Sequence, residues 1–139
     1  MLVIGVGSLV RTDDAAGRVV VERVDDLALP GVEVASLHQL TPEVAARLAG
    51  RRLVVVVDAA VDVAEVTVTP LATDASGRLV THHLGAAGLL RLAADLGWAP
   101  DAAALVRVPA SDLGIGTELS AAAAARVDTA VAEVRALIA

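Results

Sequence analysis

Short valine-rich runs alternate along this chain with longer stretches whose apolar residues recur every three or four positions, the pattern of an α/β domain. The first run, Leu2–Val6, carries Gly5 and leads into Gly7, and it predicts a strand. Thr12-Asp13-Asp14 then places capping and acidic residues where a helix N-terminus favours them, so a helix is expected from there to about Val24. Residues 32–37 alternate and predict a second strand. Thr41-Pro42-Glu43 is a helix start, with Thr41 as N-cap and Pro42 in the first turn, and Gly50 stops that helix. Residues 53–57 are consecutively apolar, four of them valine, and predict a central strand covered on both faces, with Asp58 at its carboxyl end. Residues 65–70 alternate again and end in Pro70, which suits an edge strand. After a turn at 74–77, a helix is expected over 85–96, a fifth strand over 103–108, and a long alanine-rich helix capped by Ser120.

Right-handed crossovers between parallel strands put helices on both faces of one sheet. The expected architecture is therefore a three-layer α/β/α sandwich over residues 1–139, a single domain with a mostly parallel sheet of about five strands. Ligands of such folds gather at the carboxyl ends of the strands, near the point where strand order reverses. Polar residues after strands 1 and 3 then become neighbours in space although they stand 44 positions apart in sequence, as Asp14 and Asp58 do.

Composition narrows the function. A mean hydropathy of +0.70 raises the question of a membrane. The longest uncharged stretch, 79–90, has only 12 residues and contains His82 and His83, against the roughly 20 apolar residues a spanning helix requires. Met1 runs into Leu-Val-Ile-Gly without a basic leader, so no signal peptide is expected and a cytoplasmic location is. The chain has no cysteine, which excludes disulfides, thiolate metal sites, iron–sulfur clusters and a cysteine nucleophile. A net charge of −6, with one Trp and no Phe or Tyr, leaves neither a basic track nor a stacking platform for nucleic acid.

Several candidate chemistries fail on their residues. Gly5-Val6-Gly7 begins a dinucleotide fingerprint, but its third glycine would fall on Val10 and no acid ends strand 2. A phosphate loop needs lysine, and the chain has none; Ser8 lacks the Gly-x-Ser-x-Gly elbow. The acids carry more. One of Asp13 and Asp14 is accounted for by helix capping. Asp58, after a wholly apolar strand, must be paired, metal-bound or exposed at the strand's mouth. His82 and His83 precede a helix at consecutive positions and so point in different directions. A histidine with two acids at strand ends suits ions that tolerate nitrogen and oxygen ligands, such as zinc or nickel.

Gly5-Val6-Gly7-Ser8, Thr12-Asp13-Asp14-Ala15-Ala16-Gly17, Asp58-Ala59, His82-His83-Leu84-Gly85 and Gly116-Thr117-Glu118-Leu119-Ser120, in this order over essentially the whole chain, resemble the hydrogenase maturation proteases. That resemblance implies an endopeptidase, aspartic-type or metal-assisted, which removes the C-terminal extension of the large-subunit precursor of a nickel–iron hydrogenase once nickel is inserted. It also implies that Asp14, Asp58 and His82 are the ligand and catalytic set, that nickel arrives with the substrate, and that no organic cofactor takes part. The chain departs from the family at Ser8, where asparagine is usual. It departs again at His38-Gln39-Leu40-Thr41, where many members have an Asp-Gly-Gly-Thr-like turn. The His38-Gln39-Leu40 form is similar to the branch serving soluble bidirectional hydrogenases, and the resemblance makes these residues candidates for precursor recognition. By itself His38 reads as an exposed residue ahead of a capped helix. A carboxylate or the metal would activate water. Two rival readings remain: a non-catalytic metal- or nickel-protein-binding module of the same fold, and a small nucleotide-binding domain.

Overall fold

A computed structural model of the protein describes residues 1–74, 85–111 and 113–139. In chain order the elements are β1 (Leu2–Val6), a 3₁₀ turn (Thr12–Ala15), α1 (Ala16–Asp26), β2 (Glu33–Leu37), a 3₁₀ segment (Pro42–Leu48) and β3 (Leu53–Ala60). Then come β4 (Thr67–Leu71), α2 (Ala86–Asp95), β5 (Ala102–Pro109) and α3 (Ala121–Ile138). The sheet order is β2-β1-β3-β5-β4. All neighbours are parallel except the edge strand β4, which runs antiparallel to β5. Pro70 is tolerated in β4 because an edge strand has only one ladder to supply.

The unbroken valine run of β3 is explained by two cores. Val54 and Val56 join Leu2 and Ile4 of β1 on one face, under Leu48 and under Leu89, Leu90 and Ala93 of α2. Val55 and Val57 join Val3 on the other face, under Val20, Val21 and Val24 of α1 and Val127, Val131 and Val134 of α3. A strand covered on both sides has no polar face to alternate. The three-layer α/β/α sandwich is thus present.

Three local expectations change. The first helix opens as a 3₁₀ turn, and neither that turn nor α1 receives a side-chain cap. The segment after Thr41 is 3₁₀ throughout and Thr41 makes no cap bond. Its buried Ala45 and Leu48 stand three apart, which three residues per turn places on one side. Finally, β3 runs past Asp58 to Ala60, because pairing with β5 continues to Ala60 opposite Pro109 while pairing with β1 stops at Gly5 opposite Val57. Asp58 therefore lies inside the strand, one residue beyond its last partner on β1, where the sheet opens.

β1 sits between β2 and β3, so the chain leaves β1 in one direction and returns on its other side. The crevice between the carboxyl ends of β1 and β3 is the switch point of the sheet. α2 ends a short loop before the amino end of β5, so its first turn, after Gly85, is directed toward the carboxyl edge.

Candidate active site

The turn after β1 is shaped by close approach. Gly7 has φ +150°, and a Cβ there would lie 1.7 Å from the carbonyl oxygen of Asp14. A Cβ at Gly17 would lie 2.3 Å from the carbonyl oxygen of Val57 and 2.8 Å from that of Val6. Gly7 and Gly17 thus let the 3₁₀ turn and α1 settle onto the ends of β1 and β3.

This packing puts Asp14 at the switch point. Its Oδ2 accepts the Ser8 N–H at 2.9 Å. Ser8 is buried, and its Oγ accepts the Val10 N–H at 3.4 Å. It is thus the backbone N–H of Ser8, and not its side chain, that bonds Asp14. Asp58 is close enough to feel that carboxylate. Burial, in the first place, and then the charge of Asp14 push the Asp58 carboxyl up to about 6, against opposing pulls from the Ala59 N–H and the Arg107 guanidinium. Arg107 stands opposite Asp58 across the β3–β5 ladder and is itself paired with Asp62 at 2.5 Å. A carboxyl titrating near neutrality beside a second carboxylate can exchange a proton under physiological conditions.

His82 and His83 lie outside the described residues, and so does the placement of His82 as third member of the set. Among the described residues no group of three His, Cys, Asp or Glu side chains could hold a metal ion. Asp14 and Asp58 are the members of the expected set that the described residues include.

His38, Gln39 and Leu40 follow β2 at the same edge, where the Gly7 N–H donates to the Leu37 carbonyl at 3.0 Å. His38 and Gln39 are exposed, whereas Leu40 is half-buried against the core. Two further residues frame the site. Arg18 of α1 donates from Nε to Ser36 Oγ at 2.8 Å and from Nη1 to the Gly7 carbonyl at 3.4 Å. Asp13, expected to serve at most as a helix cap, is fully buried and bonded to residues about a hundred positions away. No local signal marks either role. Ser120 does cap α3 as expected, accepting the Ala123 N–H at 3.2 Å.

No protein-family model matches the chain, and no curated protein matches it by sequence. Solved structures do match. The hydrogenase maturating endopeptidase HybD from E. coli superposes with a TM-score of 0.80 at 24% identity, over 99% of this chain and 90% of that one. A hydrogenase 2 maturation peptidase from a Thaumarchaeota archaeon gives 0.74 at 24% identity, over 99% and 96%. An endopeptidase from Escherichia coli gives 0.76 at 26% identity, over 97% and 89%. A sheet and helices matched over nearly the whole chain give this chain the fold of the hydrogenase maturation endopeptidases.

Proposed function

We propose that this protein is a cytoplasmic endopeptidase that removes the C-terminal extension of a nickel-loaded hydrogenase large-subunit precursor. The observation that carries the reading is the raised carboxyl of Asp58, buried near Asp14 at the switch point, in a fold shared with maturation endopeptidases. In this reading Asp14 and Asp58 supply two carboxylates, and His82, three positions ahead of Gly85, supplies a neutral imidazole to the nickel the precursor carries. Three such ligands without a thiolate leave coordination positions for groups of the precursor. The enzyme alone then holds the ion weakly, and cleavage depends on nickel already being in place. The attacking water is activated at the same place, by a carboxylate or by the metal. With no cysteine in the chain and no elbow around Ser8, hydrolysis proceeds without a covalent intermediate in this scheme.

The test is the mass of a large-subunit precursor, nickel-loaded or nickel-free, before and after incubation with the protein. Loss of a C-terminal peptide from the loaded form alone is the expected result. Stable association without any change of mass would replace the peptidase by a nickel-protein-binding module.

His38, Gln39 and Leu40 border this crevice as the candidate recognition element. Replacing all three by Asp-Gly-Gly is expected to change which precursor is cut. Because Leu40 packs on the core, the triple replacement should also lower stability by about 1–3 kcal/mol. Changing His38 and Gln39 alone should stay within about 0.5 kcal/mol of the parent in urea denaturation. An unchanged rate on the native precursor with either variant would remove these residues from recognition.

A further inference from the structure

We propose that Asp13 is the positioning residue of this site: its buried carboxylate clamps the Thr12–Ala15 turn to Ser111 and Ser120, and so fixes Asp14 against the Ser8 N–H. Asp13 is 0% exposed. Its Oδ2 accepts the Ser111 N–H and the Ser120 hydroxyl, each at 2.7 Å, and its Oδ1 accepts the Ser120 N–H at 2.7 Å. Bonds of this length to a carboxylate are charge-assisted and strong. They join the turn that bears Asp14 to two points that follow β5.

The turn needs holding. Thr12 has φ +44°, a left-handed conformation that is a genuine outlier for a β-branched residue and persists only where the surroundings over-determine it. Those surroundings are again residues that follow β5. The Thr12 N–H donates to the Gly116 carbonyl at 3.1 Å, Thr12 Oγ1 donates to the Gly114 carbonyl at 2.7 Å, and the Gly116 N–H returns a bond to the Val10 carbonyl at 2.9 Å. Gly116 suits this contact, since a Cβ there would stand 3.0 Å from Thr12 Oγ1. Asp13 thus sits between a strained residue and Asp14, and its bonds oppose relaxation of the turn. Without them Thr12 can return to negative φ, and Asp14, the next residue after Asp13, is carried away from Ser8.

The part of this inference that concerns cleavage rests on the proposed function; the geometric part does not. The Ser8 amide reports the geometry directly. In Asp13→Asn, whose side chain keeps one acceptor oxygen, hydrogen exchange of the Ser8 amide should accelerate at least about tenfold under conditions where the variant is folded. In Ser120→Ala, which removes one of the three Asp13 bonds together with the α3 cap but keeps the Ser111 and Ser120 N–H bonds, it should rise about threefold. On a nickel-loaded precursor, D13N should lower kcat by about a hundredfold with KM little changed, as expected when a reacting group is misplaced. Ser120→Ala carries the test if D13N does not fold. Ser8 exchange unchanged in the folded variant would reduce Asp13 to a structural tie and overturn the proposal. Accelerated Ser8 exchange with an unchanged kcat would overturn it equally. Absence of cleavage by the parent would end the proposed function while leaving the Ser8 result to decide the geometry.

Discussion

Asp58→Asn is expected to stabilise the protein at pH 8 and to abolish processing of the precursor. The Asp58 carboxyl is pushed from 3.8 up to about 6 in the folded chain, chiefly by burial and then by Asp14. Below pH 4 both folded and unfolded states hold the proton, and Asp58 costs nothing. Between about 4 and 6 the unfolded chain releases its proton while the folded one keeps it, so stability falls as pH rises. Above about 6 the folded protein bears the whole cost of a partly buried carboxylate beside another, on the order of 3 kcal/mol. Asparagine stays neutral and escapes this loss, less whatever the Ala59 N–H bond contributes. Urea denaturation of parent and variant at pH 4.5 and pH 8 separates this effect from the other titrating groups, which the two proteins share. The difference should grow toward about 2–3 kcal/mol at pH 8; a constant difference would mean that Asp58 is not the strained group. A stabilised protein that no longer cuts is what a site held at the expense of stability produces.

Gly7→Ala should have the opposite effect, unfolding the protein or leaving it at least about 3 kcal/mol less stable. The added methyl meets the carbonyl oxygen of Asp14 at 1.7 Å and its carbon at 2.9 Å, on a residue already at φ +150°. Both obstructing atoms are backbone, so no rotamer change relieves them. Gly50→Ala is the matched control. Gly50 also has positive φ, +73°, but a Cβ there meets nothing within 4 Å, so its cost should be about 1 kcal/mol. Equal losses for the two in chemical denaturation would mean that conformation alone, and not the approach of Asp14, demands glycine at position 7. Any G7A protein that does fold must displace Asp14, and its cleavage rate should fall beyond what its folded fraction explains.

Among the described residues no helix is long and apolar enough to cross a membrane, in line with the short uncharged runs of the sequence. The structural neighbours include hydrogenase maturation endopeptidases, and the α/β/α fold they share was legible from residues alone.

What the sequence determines by itself is whatever neighbours along the chain decide. Five strands were readable because side-chain alternation and valine runs act over a few residues. Gly97 and Ser120 marked helix ends because a cap or stop is made within one turn. Even the placement of Asp14 and Asp58 at the carboxyl ends of adjacent strands could be anticipated, since strand order and handedness bring those ends together. Tertiary structure decided the rest. Which of two adjacent aspartates would face the crevice and which would be buried depends on Ser111 and Ser120, about a hundred residues downstream of Asp13. The 3₁₀ turn at Thr12 replaces a capped helix start because Gly114 and Gly116 hold Thr12 in a conformation it would not choose alone. Asp58 lies within β3 and not after it because β5 continues where β1 stops. Each outcome rests on hydrogen bonds whose partners are remote in sequence, and a pattern of apolar and polar positions records how a segment folds on itself but not which distant donor will meet it.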